Sequence, residues 1–491
     1  MFASIFIKDY SQISHSIKTL LCFAFAVVLV GCGGSPQQAP TTRAAVPEVN
    51  QTVPDVPGEN ISPEQTQPAD GTGEQVTQDI DTQIIVGVML PLSGPEAGAG
   101  EALLRAVTMA LFDAYDPRLK LIPLDTQADA LVAAERAQDA VDVGASIVLG
   151  PLLADSVIAA GPILQAANVT MIGFSNDITA AAPGRFIMGF LPQTEVKRVV
   201  DYAVAEGLGN FAALIPEGLY GQRVQSAFGD AVVDAGVNLA AIENYPPGII
   251  EALDEPVKRL ARYDERRRDA RREAQFLRGL RDSMMNEIAE KIEAAEVMEG
   301  VDFDAVLVPE GGATMRSLAP LLPFYEVDPN RVKFIGTGLW NDVGLLGEPP
   351  MQGAWFAAPE PEKSDAFLAR YEQTYSTAAP RIATLAYDAM SLVAQLVRTP
   401  TQQLDQDPAQ SSLAGLGGDD EKKDTLSLNR AIFSAERLTI NEGFSGVDGL
   451  FRFLPNGTIE RALAVLEVNR SGFIVVDPAP KSFPAFGYLL N

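Results

Sequence analysis

The chain has 491 residues, a length that allows two or three domains, and carries 64 acidic against 37 basic side chains, a net charge of −27. That charge speaks against nucleic acid, whose binding needs Lys and Arg to neutralise phosphates. The single histidine, His15, and both cysteines, Cys22 and Cys32, fall at the start of the chain. Residues 33–491 therefore have no Ser-His-Asp triad, thiol nucleophile, His/Cys metal site or disulfide, and neither a metal nor a cofactor is expected.

Lys8 and Lys18 precede an apolar run from Leu20 to Val30, which ends in Leu29-Val30-Gly31-Cys32 and is followed by Gly33. A basic flank, a short apolar core and small residues before a cut describe a secretory signal peptide. The run falls short of the roughly 20 residues a spanning helix needs. The Leu-Val-Gly-Cys stretch resembles the lipobox of bacterial lipoproteins. That resemblance implies cleavage after residue 31 and lipidation of Cys32, which gives a membrane anchor without a spanning helix. Gly33, where an aspartate would disfavour it, is compatible with sorting to the outer membrane. Residues 33–82 hold seven prolines among Gln, Thr, Asp and Glu. They read as a disordered tether, about 40 Å long on average by flexible-chain scaling.

From Gln83 the pattern becomes strand–helix alternation. Ile84–Leu90 is an apolar strand, followed by a helix with Leu103, Leu104, Val107 and Leu111 on one face. Then come strand Leu119–Leu124, helix Asp129–Val143, strand Ser146–Leu149, helix Asp155–Ala167, strand Val169–Phe174 and strand Arg185–Phe190. A second series runs from helix Gln193–Glu206 through strands Phe211–Ile215, Val237–Glu243, Asp304–Val308, Val332–Gly336 and Gly353–Ala357, with helices Gly221–Ala235 and Thr314–Leu321 between them. Helices come next near Asp365–Thr374, Thr384–Val397 and Leu428–Ala435. Thr399–Asp424 reads as a mobile loop, and Asp477–Asn491 as a tail. Strand runs Leu450–Leu454 and Thr458–Val468 flank Asn456-Gly457, a hairpin signal. Short apolar strands alternating with helices imply βαβ units and parallel sheets covered on both faces. The class is α/β, with two doubly wound sheets, and ligands are expected beyond the carboxyl ends of strands.

Val88-Met89-Leu90-Pro91-Leu92-Ser93-Gly94, Val148-Leu149-Gly150-Pro151, Ala159–Leu164, Leu219-Tyr220-Gly221 and Phe444–Phe451, taken in order, resemble the type I periplasmic binding proteins, the family of branched-chain amino-acid receptors. The resemblance implies a bilobed fold with three interlobe crossings, placed here near Leu191–Gln193, Ala357–Glu360 and Phe444–Asp448. Lobe 1 then takes 83–191 and 358–445. Lobe 2 takes 192–357 and 446–476, with a long helical insert at 252–299 and a tail from 477. Within that fold the sequence looks similar to lipoproteins described as penicillin-binding protein activators.

The resemblance also implies a ligand mode in the interlobe cleft: Ser and Thr hydroxyls for an α-carboxylate, and a carboxylate for an amine. The hydroxyl pair expected after Gly150-Pro151 is replaced by Leu152-Leu153, which would leave a ligand carboxylate poorly paired. The candidate cleft residues are Ser93, Leu153, Ser175, Asn176, Thr179, Tyr220, Glu310 as an amine partner and Trp340 as a stacking surface. Five of them have a plainer alternative. Ser175, Asn176 and Asp177 would cap the next segment, Tyr220 and Trp340 would be packing, and Glu310 would be a solvated turn residue.

Asp254–Glu299 carries ten Lys or Arg against four acids between Lys258 and Arg281, and an apolar face of Leu277, Leu280, Met284, Ile288 and Ile292. It reads either as a surface hairpin laced by pairs such as Asp264–Arg268 and Asp269–Arg272, or as an arm docking an acidic partner through Arg266, Arg267, Arg271 and Arg272. Two functions are compatible with these features. The leading one is a non-enzymatic envelope lipoprotein that regulates peptidoglycan synthesis through a penicillin-binding protein. The alternative is a solute-binding lipoprotein that serves an ABC permease with a small polar ligand such as an amino acid.

Overall fold

The computed structural model describes residues 83–297, 300–399 and 419–485. Cys32, the signal peptide, the tether and most of the expected loop at Thr399–Asp424 lie outside them. Among the described residues no helix is long and apolar enough to cross a membrane, and no cluster of acidic, His or Cys side chains offers a metal site.

The first sheet is parallel throughout. It comprises β1 (Ile84–Leu90), β2 (Leu119–Asp125), β3 (Ile147–Leu149), β4 (Thr170–Gly173) and β5 (Arg185–Ile187), in the order β2-β1-β3-β4-β5. Helices α1 (Ala97–Ala114), α2 (Ala130–Asp142) and α3 (Ala154–Ala166) connect its first four strands. Asp129 starts α2 by accepting from the backbone N–H groups of Leu131 and Val132, which would otherwise be orphaned. Three-residue β3 is buried on both faces, as a central parallel strand must be.

After α4 (Pro192–Ala205) the chain builds the second sheet from β6 (Asn210–Pro216), β7 (Asn238–Tyr245), β8 (Ala305–Leu307), β9 (Lys333–Gly336) and β10 (Trp355–Ala358), with α5 (Leu219–Ala235) after β6. Gly221 in α5 is dictated by packing, since a Cβ there would come 1.6 Å from the Pro216 carbonyl oxygen. Between β7 and β8 lie α6 (Asp254–Leu260), α7 (Tyr263–Gly279) and α8 (Ser283–Ala295), and α9 (Gly312–Phe324) comes after β8. The chain then returns to the first lobe with α10 (Pro361–Tyr375), α11 (Ala383–Arg398), α12 (Asp419–Ala431) and α13 (Ala435–Leu438). A small antiparallel sheet, β11 (Phe444–Gly446), β12 (Gly449–Phe453) and β13 (Ile459–Arg461), completes that lobe. Finally β14 (Ala464–Asn469) and β15 (Gly472–Asp477) extend the second sheet antiparallel, giving β15-β14-β10-β9-β8-β6-β7.

The Asn456-Gly457 hairpin joins β12 and β13 as expected, with Gly457 at φ +86°. The expected single strand Thr458–Val468 is in fact two strands in different sheets. Phe451, Phe453 and Ile459 belong to the core of the first lobe, whereas Leu463 and Val465 belong to that of the second. The third crossing therefore lies at Ala462–Leu463, not at Phe444–Asp448, and residues 446–461 belong to lobe 1. The other two fall between β5 and α4 and between β10 and α10. α12 begins at Asp419, inside the expected loop, and the expected tail starts with the last residue of β15.

Candidate functional site

Both sheets present the carboxyl ends of their parallel strands to the interlobe cleft. On the first lobe these ends lead into Pro91–Gly94, Gly150–Leu153 and Phe174–Ala180. On the second they lead into Glu217–Tyr220, Val308–Gly311 and Thr337–Asn341.

The Ser93 hydroxyl donates to Asp125 Oδ2 at 2.6 Å, and the Leu92 N–H donates to Oδ1 at 2.8 Å. Burial pushes the Asp125 carboxyl up, but donors from Ser93, Gln127 and Leu92 outweigh it and hold it below the usual range. Leu153 precedes the first turn of α3 and is partly exposed, so the loop after Gly150-Pro151 presents an apolar side chain and not a hydroxyl. Ser156 is buried and forms no hydrogen bond among the described residues, so its hydroxyl is not offered to the cleft.

Ser175, Asn176 and Thr179 come after β4. Ser175 is buried and accepts from the Asp177 N–H at 3.0 Å. Asp177 in turn accepts from the N–H and hydroxyl of Thr179, closing a 3-10 turn over Ile178–Ala180. The capping alternative thus describes Asp177, the N-cap of that turn, while Ser175 accepts two residues before it and Asn176 is exposed. The role of Asp177 is larger, because it forms an ion pair with Arg223 of α5, on the other lobe. A second cross-lobe pair links Arg381, just before α11, to buried Glu195 of α4 at 2.9 Å; Glu195 also accepts from the Gly338 N–H. The Arg381 guanidinium lies 3.6 Å above the Phe190 ring centroid at the first crossing. The lobes are therefore tied at the lips of the cleft and again at the hinge. Arg223→Ala is expected to leave the fold intact and let the lobes separate, read as a larger radius of gyration by small-angle scattering. An unchanged radius would show that the hinge pair alone sets closure.

The second lobe supplies the more polar wall. The Tyr245 hydroxyl donates to Glu310 Oε2 at 2.7 Å, and the Gly311 N–H donates to Oε1 at 3.0 Å. The Tyr220 hydroxyl lies 3.4 Å from Thr337 Oγ1. Burial pushes both phenols up, reinforced at Tyr245 by the Glu310 carboxylate and at Tyr220, against the Thr337 hydrogen bond, by Glu195 and then Glu310, so both stay protonated. Glu310 is half-buried and takes part in a Tyr245–Glu310–Gly311 network, which corrects its reading as a solvated turn residue. Trp340 is a correction to the expected ligand platform. It is fully buried in the lobe 2 core, with Phe356 at 6.4 Å between ring centroids, and it fills the space over Gly336.

The four arm arginines do not form one open patch. Arg266 is half-buried and donates to the Ala261 carbonyl, Arg267 pairs with Glu296 at 3.5 Å, Arg272 pairs with Asp269, and Arg271 is exposed. Asp264 pairs with Lys258 at 3.2 Å, not with the expected Arg268. Sequence reasoning missed Arg223, Arg381, Glu195 and Tyr245. Only Arg223 carried a local signal, close behind Leu219-Tyr220-Gly221.

A family model described as periplasmic binding protein matches residues 83–260. An uncharacterized protein of Rickettsia prowazekii, RP748, is 24% identical over 180 residues, 36% of this chain, and the match spans about half of that relative's length. Among solved structures, an ABC transporter substrate-binding protein from Sphaerobacter thermophilus superposes with a TM-score of 0.57 at 20% identity, covering 82% of this chain and 98% of that one. A branched chain amino acid ABC transporter periplasmic ligand-binding protein from Burkholderia xenovorans gives 0.53 at 15% identity, covering 81% and 96%. The architecture is the bilobed type I periplasmic-binding-protein fold, with its cleft at the strand ends described above.

Proposed function

We propose that this chain is a non-enzymatic solute-binding protein of the bacterial envelope that closes its two lobes on a small polar ligand carrying an amine. It would be held in the periplasm by a lipid on Cys32 and serve an ABC permease. The observation that carries this reading is the wall of lobe 2. A half-buried carboxylate, Glu310, is oriented by the Tyr245 hydroxyl and its own turn, with the Tyr220 phenol beside it. Such a group receives a cationic amine at low desolvation cost, because its remaining lone pairs are already arranged. Leu152 and Leu153 on the facing lobe suit an apolar portion better than a carboxylate, which separates this site from an ordinary amino-acid receptor mode.

A thermal-shift screen against amino acids, amines, amides and wall fragments tests it. A ligand at ~100 times its dissociation constant adds about 2.7 kcal/mol of stability. The expected result is a shift with an amine-bearing compound that Glu310→Gln abolishes. Stabilisation only by compounds without an amine would overturn the reading.

A second reading is favoured by a specific pair of observations. The leucines after Pro151 and the three-helix insertion α6–α8 both suit a protein that regulates a peptidoglycan synthase through its surface. Cross-linking to a penicillin-binding protein, with no response to any small molecule, would select it.

A further inference from the structure

The insertion carries an apolar face that nothing in the described chain covers. Phe276, Leu280, Met284 and Ile288 are 61%, 52%, 65% and 37% exposed. Phe276 and Leu280 are one turn apart at the end of α7, and Met284 and Ile288 are one turn apart on α8. With α7 and α8 antiparallel and closed on Ala274, Leu277 and Ala289, the 100° step per residue puts all four on the same broad side of the hairpin. The salt bridge from Arg278 to Glu293, at 2.6 Å for both of its hydrogen bonds, falls on the opposite side by the same count. One side is thus tied by charge, and the other is apolar near the tip.

We propose that this apolar face is a self-association surface, on which a second copy of the chain packs its own hairpin about a two-fold axis. Two observations select a second copy. The hairpin interior is thin, formed by two alanines, one leucine and the partly buried Met285 and Ile292, so it gains most from a second layer of helices. The charges also permit close approach. Residues 263–295 carry eight basic and eight acidic side chains and are neutral, whereas the chain as a whole carries −27. Two such bodies repel at every acidic surface but not at this tip, and a face offered to itself makes a closed, isologous contact. α7 joins the body at its start, where Tyr263 packs edge-on against Tyr325, so the tip is the free end.

Light scattering and sedimentation of the full chain over a range of concentrations test this. The expected result is a monomer–dimer equilibrium whose Kd rises by about tenfold or more in Phe276→Ser/Met284→Ser. Leu280→Arg, which leaves the hairpin interior untouched, should do the same. Phe112→Ser, at a 73% exposed phenylalanine on α1, should leave the equilibrium unchanged. A wild-type chain that stays monomeric throughout overturns the proposal, as does a dimer that survives both hairpin variants. A monomer that binds anionic vesicles through the hairpin would overturn it in favour of a membrane surface.

Discussion

Trp340→Ala is expected to destabilise the protein by about 3–5 kcal/mol, the range for emptying an aromatic site in a packed core. The indole is fully buried and lies against Phe356, and Gly336 lacks a side chain because a Cβ there would come within 2.3 Å of the ring. Denaturant unfolding measures it. A loss below about 1 kcal/mol would mean that the ring is not held in the core, and would return it to the cleft as a ligand surface.

The second large effect is at the hinge. Arg461 of β13 is 5% exposed, stacked near the rings of Phe190 and Phe451, and its guanidinium makes no hydrogen bond among the described residues. Its compensation is electrostatic, from Asp388 of α11 and Asp448 of the β11–β12 turn, which are 1% and 3% exposed. Thr384 donates to Asp448, Arg381 adds a second positive charge, and the Val447 N–H donates to Asp388. Burial, then the neighbouring Asp448, pushes the Asp388 carboxyl up to about 7. The folded state therefore favours its protonated form. The stability this group lends is fully present below its ordinary value of 3.8 and is lost as pH rises through about 7. Arg461→Met removes the cation and leaves two buried carboxyls. The expected cost is about 3–5 kcal/mol near pH 8, shrinking toward pH 5 as Asp388 takes a proton. Urea unfolding at the two pH values measures the difference. An equal cost at both would show that the arginine is needed for packing and not for charge.

The sheets were legible because buried parallel strands read as unbroken apolar runs. The same property hid the switch at Ala462–Leu463. Both residues are buried, so an apolar run continues while the chain leaves one sheet for the other. β15 was missed because its residues are exposed or half-buried along an edge, without the alternation that marks a one-faced strand. For the insertion, three- and four-residue spacing found the helices but could not say what their apolar face meets. Leu277 and Ile292 turn inward while Leu280, Met284 and Ile288 stay exposed. At the site, the loops were placed by topology; Ser93, Ser175 and Glu310 fall on them, and Tyr220 falls in the first turn of α5 just beyond one. Their partners could not be read from the sequence, because Asp177–Arg223 and Glu195–Arg381 join residues of different lobes with no local spacing to reveal them.

α1 packs along α11, and buried Tyr371 of α10 reaches back toward the carbonyl oxygen of Ala102 in α1. The first sheet, complete by Ile187, thus waits for helices made nearly two hundred residues later before its outer face is dry. During synthesis the early strands and α1 carry apolar surface that only the far end of the chain can cover, so high contact order should make folding slow and place it after translation. The stretch 83–260, although it is the part matched by a family model, would not stand alone as a folding unit.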